Sequence, residues 1–414
     1  MYRRPSSSSV SRLLLGAALL GGVLGGGCHR EIHPDFSAPF VCRPTTAVTS
    51  SVFLIGDAGD PDLPELSAGE GRGDDRSGGP PELVDPVLRA LASDVATQVH
   101  SLGEERTAVV FLGDNVYPDG LAPEGDDDRA RGERVLEAQI AAAGAARGFF
   151  VLGNHDWDQA DEGGYERAMA QWRYLSERAP NIEIHPPRAC PGPSRVDFGE
   201  HLRFVFVDAW SRIYDVEYPG SPVTGCDPRP GGGRARAALE AELHDHDDRR
   251  VVLALHQPLM SSGPHAGYFS WTDHIFPLRV FNRHLWIPLP ILGSIFPVAR
   301  WSGVTDVDLM STSYSVYIES VMDLFEPGVP SLVVAGHDHS LQVHVDAIGV
   351  FHAVSGAGST RKVNNVSNLE SDLMSLAAPG YMRLDEYGDG TLMLTVFALD
   401  EEDRSQRVYA TCVP

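Results

Sequence analysis

GDNVYPDG occupies residues 113–120 and follows directly on the apolar run Val109-Val110-Phe111-Leu112. Such a run, half of it β-branched and stopped by Gly-Asp, reads as a buried strand that turns sharply and presents a carboxylate at its end. The same design recurs outward in both directions. Val52–Ile55 leads into Gly56-Asp57-Ala58-Gly59, Phe149–Leu152 into Gly153-Asn154-His155-Asp156, Val251–Leu255 into His256, and Leu332–Ala335 into Gly336-His337-Asp338-His339. Singly each piece is weak, because Gly-Asp is usually a turn, Asn-His-Asp a helix cap or polar loop, and a strand-end histidine a satisfied core residue. Together, in one chain and each behind an apolar run, they are a strong signal. They gather carboxylate, phenol, amide and imidazole groups where α/β sheets collect ligands, at the carboxyl ends of strands. That donor set suits hard or borderline ions such as iron, zinc and manganese, and no cysteine competes for it. The glycines before Asp57, Asp114, Asn154 and His337 are expected to supply unusual dihedrals at these turns.

Between the runs lie helical patterns. Leu83, Val87, Leu91, Val95 and Val99 recur every four residues after Pro80 and Pro81 and stop at Gly103, which predicts an amphipathic helix. Arg129 to Arg147, Tyr165 to Arg178 and Arg234 to His246 read similarly, so strand and helix alternate and the fold class is α/β. Beyond Gly336 the pattern turns to strands at Val343–Val345, Val350–Val354, Tyr381–Leu384 and Leu392–Phe397, with a hairpin turn at Gly388-Asp389-Gly390. The 414 residues, 43% hydrophobic and 22% charged, are ample for one large catalytic domain over residues 51–412.

A formal net charge of −24 argues against nucleic-acid backbone as a partner, since phosphate binding needs clustered Lys and Arg. Residues 1–28 read as an export signal: Arg3, Arg4 and Arg12 precede the apolar stretch Leu13–Leu24, and Gly25-Gly26-Gly27-Cys28 follows. Cys28 resembles the lipidation site of bacterial lipoproteins, which predicts a lipid-anchored chain facing the periplasm or cell surface. Gly25 stands where such signals carry an aliphatic residue, so a soluble secreted form is the alternative. Residues 29–50, with Pro34, Pro39 and Pro44, are expected to be an extended tether. In an exported chain the four remaining cysteines are read as disulfides, with Cys42–Cys412 and Cys190–Cys226 favoured among the three possible pairings and free buried thiols as the alternative.

One stretch resists the scheme. His274 to Trp301 is strongly apolar, yet Pro288, Pro290 and Pro297 with Arg279, Arg283 and Arg300 rule out a comfortable membrane span. It is expected to be an insertion, at about residues 262–310, either packed as a cap beside the site or serving as a lid that touches lipid or an apolar substrate.

GDNVYPDG, GNHD (153–156) and GHDHSLQ (336–342) together resemble the calcineurin-like metallophosphoesterases. Gly59 stands where most of that superfamily has a histidine, while Tyr117 follows Asp114 by three residues. That exchange is similar to the purple acid phosphatases, in particular their small tartrate-resistant branch. The resemblance spans Asp57 to His339 and implies a β-sandwich flanked by helices in four αββα layers. It implies Fe(III) held by Asp57, Tyr117 and His339, a bridging Asp114, and divalent Fe, Zn or Mn held by Asn154, His256 and His337. Two ions about 3.5 Å apart would bind the phosphoryl oxygens, activate a hydroxide and stabilise the leaving group. The resemblance gives His155 the role of hydrogen-bonding the phosphate or protonating the leaving alkoxide. His265 is a candidate substrate contact, with a plain surface histidine as the alternative, and Asp156, Asp158 and Asp338 are read as orienting residues. The expected activity is hydrolysis of small phosphate monoesters. A phosphodiesterase or phospholipid head-group hydrolase is the alternative within this chemistry. A non-catalytic surface binding protein is the alternative of another class. Oligomeric state is not legible.

Overall fold

A computed structural model describes residues 31–32, 43–63, 83–214, 233–245, 247–269, 271–280 and 285–414. The export signal, Cys28, Cys42 and Cys226 lie outside the described residues. The strands, in chain order, are β1 (Glu31–Ile32), β2 (Val48–Ile55), β3 (Thr107–Leu112), β4 (Arg147–Val151), β5 (Ile182–Ile184), β6 (Ser194–Phe198), β7 (Leu202–Phe206) and β8 (Arg250–Ala254). They continue as β9 (Leu332–Ala335), β10 (Leu341–Val345), β11 (Phe351–Ser355), β12 (Asp372–Leu376), β13 (Gly380–Tyr387), β14 (Leu392–Leu399) and β15 (Ser405–Val413). Two mixed sheets result, ordered β15-β14-β13-β2-β3-β4-β5 and β1-β12-β10-β11-β9-β8-β7-β6. In each, a parallel core carries antiparallel strands at its flank.

The side-chain alternation of the parallel strands explains why they are apolar throughout. Val52 and Leu54 of β2 join Phe204 and Phe206 of β7 and Val252 and Ala254 of β8 in the core that the two sheets share. Phe53 and Ile55 point the other way, against Val87, Leu88 and Leu91 of helix α1 (Pro86–Leu102) and Val135 and Leu136 of α2 (Arg129–Ala143). Alternate residues of β8 and β9 likewise pack outward, on later helices. A strand covered on both faces has no polar side, and burying each large aliphatic contributes roughly 1.5–3 kcal/mol. The layers are therefore αββα, as expected.

Further helices are α3 (Gly164–Arg178), α4 (Trp210–Ile213), α5 (Gly233–His244), α6 (Trp271–Ile275), α7 (Ile295–Trp301) and α8 (Thr312–Met322). Helix α1 starts later than the proline signal implied. Its cap is Asp85, whose Oδ1 accepts from the backbone N–H of Val87 at 2.9 Å and of Leu88 at 3.0 Å, and Pro86 fills the first turn. The tether expected to residue 50 gives way earlier: β2 starts at Val48, Thr45 already donates to Asp389 Oδ2, and β1 pairs with β12. The sequence pattern also missed β5, β6, β7, β12 and β15. Cys190 and Cys412 each enter a disulfide. No helix among the described residues is long and apolar enough to cross a membrane.

Candidate metal centre

The loops after β2, β3, β4, β8 and β9 bring all seven expected donors to one end of the sandwich, in two groups. In the first, the Tyr117 hydroxyl lies 3.0 Å from Asp57 Oδ1 and 3.2 Å from His339 Nε2, and those two atoms are 3.3 Å apart. In the second, His256 Nε2 lies 3.1 Å from Asn154 Oδ1 and 3.3 Å from His337 Nδ1. Asp114 joins them, with Oδ2 2.9 Å from the Tyr117 hydroxyl and Oδ1 3.3 Å from His256 Nε2. Asp57, Asp114 and His256 together have the spacing of a metal-binding cluster.

Each inward-facing atom is aimed by a bond made elsewhere. His256 Nδ1–H donates to the Leu112 carbonyl at 2.7 Å, which leaves Nε2 for the site. His337 Nε2–H donates to the Val307 carbonyl at 2.8 Å, which leaves Nδ1. The Asn154 amide donates to Gln159 Oε1 at 3.3 Å, so its oxygen faces His256. Asp156 accepts from the backbone N–H of Gly153, Asn115 and Val116 and so ties the loops after β3 and β4 together. Burial, with Asp114 beside it, raises the Asp156 carboxyl to about 7.

Of the four glycines only Gly113, at φ 88°, takes the unusual backbone expected of it. Three of the donor residues themselves take left-handed backbone, Asp57 at φ 59°, Asp114 at φ 51° and His337 at φ 71°. Gly153 instead provides room, since a Cβ there would stand 2.3 Å from Asp114 Oδ1. Asp and His tolerate the left-handed region better than most residues, at a cost of order 1–3 kcal/mol each that the surrounding hydrogen bonds offset.

Burial drives the Tyr117 phenol well above its ordinary value, and the carboxylates of Asp114 and Asp57 add to it. Burial pushes Asp114 the same way, but the imidazoles of His256 and His155 outweigh it and hold Asp114 well below the usual carboxylate range. Two buried carboxylates, a phenol and imidazoles in mutual contact form a donor set that fits two metal ions.

His155 rims the centre. Its backbone N–H donates to Asp114 Oδ1 at 2.9 Å, its ring packs 4.3 Å from the Tyr117 ring, and Gln159 Nε2 lies 3.0 Å from its Nε2. His265 sits a layer back: its ring is 4.0 Å from that of His337, and its Nδ1 faces Val307, Asp308 and Arg300. Asp338 accepts from the Ser261 hydroxyl and the His265 N–H, and Asp158 pairs with Arg167 at 3.2 Å. Gln159 and Lys362 are among the residues that carry no sequence signal. Gln159 orients both Asn154 and His155, and Lys362 places its Nζ 3.1 Å from the Tyr117 ring centroid. Neither lies in a motif, although Gln159 stands five residues after Asn154 in the same turn.

No family model matches the chain, and no curated protein does. Among solved structures, the purple acid phosphatase PPD1 from yellow lupin (Lupinus luteus) shares 14% identity at a TM-score of 0.50, over 90% of this chain and 55% of its own. The chain has the metallophosphoesterase fold. A second structure with the same fold is GAP50, described as the anchor in the inner membrane complex of Plasmodium, at 16% identity and a TM-score of 0.50 over 89% of both chains. The metallophosphoesterase fold thus stands behind both an enzyme and an anchor, and what separates them for this chain is its site.

Proposed function

We propose that this chain hydrolyses phosphate esters with two metal ions. The observation that carries the reading is the division of Asp114 between two complete donor groups, Asp57, Tyr117 and His339 on one side and Asn154, His256 and His337 on the other. In this reading the first group holds Fe(III) and the second a divalent Fe, Zn or Mn. When bound, the ions supply Lewis-acid activation of the phosphoryl group, a nucleophilic hydroxide and stabilisation of the leaving oxygen. His155, at the rim, holds the proton for the leaving alkoxide, and Gln159 fixes its ring. Lys362 adds positive charge on the substrate side of Tyr117 for a phosphate dianion. Gly153 keeps Asp114 free to reach both groups.

The substrate is a small monoester and the chain an exported bacterial lipoprotein anchored through Cys28, with Cys42–Cys412 and Cys190–Cys226 as its disulfides. A diester or phospholipid head-group substrate is favoured instead by the apolar insertion beside the site. A binding role without turnover, such as the anchor description of GAP50 invites, is opposed by the full set of donors, since a site released from catalysis has no reason to keep every one.

The test is hydrolysis of an aryl phosphate monoester and of its diester across pH, by the full chain matured in an oxidising compartment with iron and zinc. Asp114→Asn is the control. Monoester turnover with an acidic optimum, absent in the control, is expected. Diester preference moves the assignment to a phosphodiesterase, and no turnover with both ions bound rules out the enzyme.

A further inference from the structure

Val307 takes the Nε2 proton of His337 on its carbonyl at 2.8 Å and so turns Nδ1 inward. The other donors of that group are aimed from close by: His256 by Leu112 at the end of β3, and Asn154 by Gln159 in the same turn. Val307 belongs instead to the segment between α7 and α8, which consists of turns and bends. A carbonyl in such a segment has no ladder of backbone bonds to place it, and side chains must do so.

Asp308 is the side chain that does. Thr305, Asp306 and Met310 around it are exposed, yet its carboxylate is fully buried. Arg300, near the end of α7, donates from Nε to Oδ1 at 3.1 Å and to Oδ2 at 2.9 Å, and from a terminal nitrogen to Oδ1 as well. The Thr305 hydroxyl donates to Oδ2, and His265 Nδ1 lies 3.2 Å from Oδ1 and 2.8 Å from Arg300. The backbone is pinned on both sides of the carboxylate. Asp308 N–H donates to the Thr305 carbonyl at 3.1 Å, Leu309 N–H to that of His265 at 2.8 Å, and Ser311 N–H to that of Asp308 at 2.8 Å. A buried carboxylate is tolerated only when paired and hydrogen-bonded, so this hub holds Val307 in one place.

We infer that Asp308 is a positioning residue for the second ion, acting through Val307 and His337. The segment from His265 to Asp308 thereby sets how tightly the Asn154, His256 and His337 group holds its metal. This rests on the two-metal reading. The other group is outside its reach: among the described residues, Asp57, Tyr117 and His339 make no hydrogen bond to the segment, and the His339 carbonyl is held by Asn364 N–H at 2.8 Å. Partners that orient a metal-binding imidazole typically change metal affinity or activity about 10- to 100-fold.

Zinc binding by the full chain loaded with iron, measured by equilibrium dialysis and metal analysis, tests this. Asp308→Ala is expected to raise the zinc dissociation constant about 10- to 100-fold with the iron content unchanged. Asp308→Asn, whose amide oxygen still accepts from Thr305 and Arg300, should recover part of the loss. Thr305→Val, at an exposed position, should shift zinc in the same direction by less, and with Asp308→Asn it decides the matter should Asp308→Ala not fold. Zinc affinity unchanged in these variants overturns the inference. So does parallel loss of iron and zinc, which would make Asp308 a support of the fold alone. A parent chain that takes up iron but no zinc defeats the two-metal reading itself, whereas zinc held equally by parent and variants defeats only the role of Asp308.

Discussion

Lys362 stands in a loop of small and polar residues, where a lone lysine ordinarily means a solvated surface, and only the folding of that loop over Tyr117 gives it a role. Burial lowers its pKa, while Asp60, Asp114 and Asp57 act to raise it. Replacing it by Met is expected to lower kcat/KM for a monoester about tenfold and to weaken inhibition by inorganic phosphate, with metal content unchanged and Lys362→Arg partly restoring both. Asp208 is a second residue with no sequence signal. It is buried, accepts from Trp157 Nε1 at 2.7 Å, and burial raises its carboxyl to about 6. The folded state therefore keeps this proton to higher pH than the unfolded chain, so the stability it contributes falls as pH rises from about 4 to about 6 and is flat above that. Asp208→Asn should remove of order 3 kcal/mol of pH dependence from that window, read as the difference between the two chains in denaturant titrations. The seven candidate donors, by contrast, are legible because each of the five loops that carry them follows an apolar strand and the resemblance implies the role of each. Gln159, Val307 and Asp308 are not, since what they do depends on contacts distant in sequence.

Helix α1 shows what element-level reading captures. Its apolar period and its stop at Gly103 are visible in the sequence, but Pro80 and Pro81 are stronger punctuation than the Asp85-Pro86 pair that caps it. Asp85→Ala is expected to cost about 1 kcal/mol, measured by urea unfolding, with metal content unaffected. The fully buried strands β2, β3, β4, β8 and β9 were found as apolar runs. Strand β7 escaped because Arg203 interrupts it, and Arg203 is tolerated there because Asp197 on neighbouring β6 pairs with it at 2.6 Å. Strand β15, with Gln406, Arg407 and Thr411 along it, lies at the edge of its sheet and shows too weak an apolar period to be read without its partner β14.

At the scale of the whole chain, four layers were implied by resemblance and are explained by alternation along strands that face two cores at once. The five loops of the site come from both sheets, so the metal centre is also a clasp between them. Removing the ions by chelation should lower the unfolding temperature, and each ion present at a hundredfold excess over its Kd contributes about 2.7 kcal/mol if it ignores the unfolded chain. Asp114→Asn should lose most of that difference, by differential scanning calorimetry. The clasp has a further property, because Asp114 gives one oxygen to each donor group. An ion held by either group would fix the Asp114 rotamer that the other group needs and would screen the carboxylate charge that attracts the second ion. Loading would then be cooperative in its entropic part and anticooperative in its electrostatic part, and the shape of a calorimetric metal titration is expected to report which of the two governs this pair of sites.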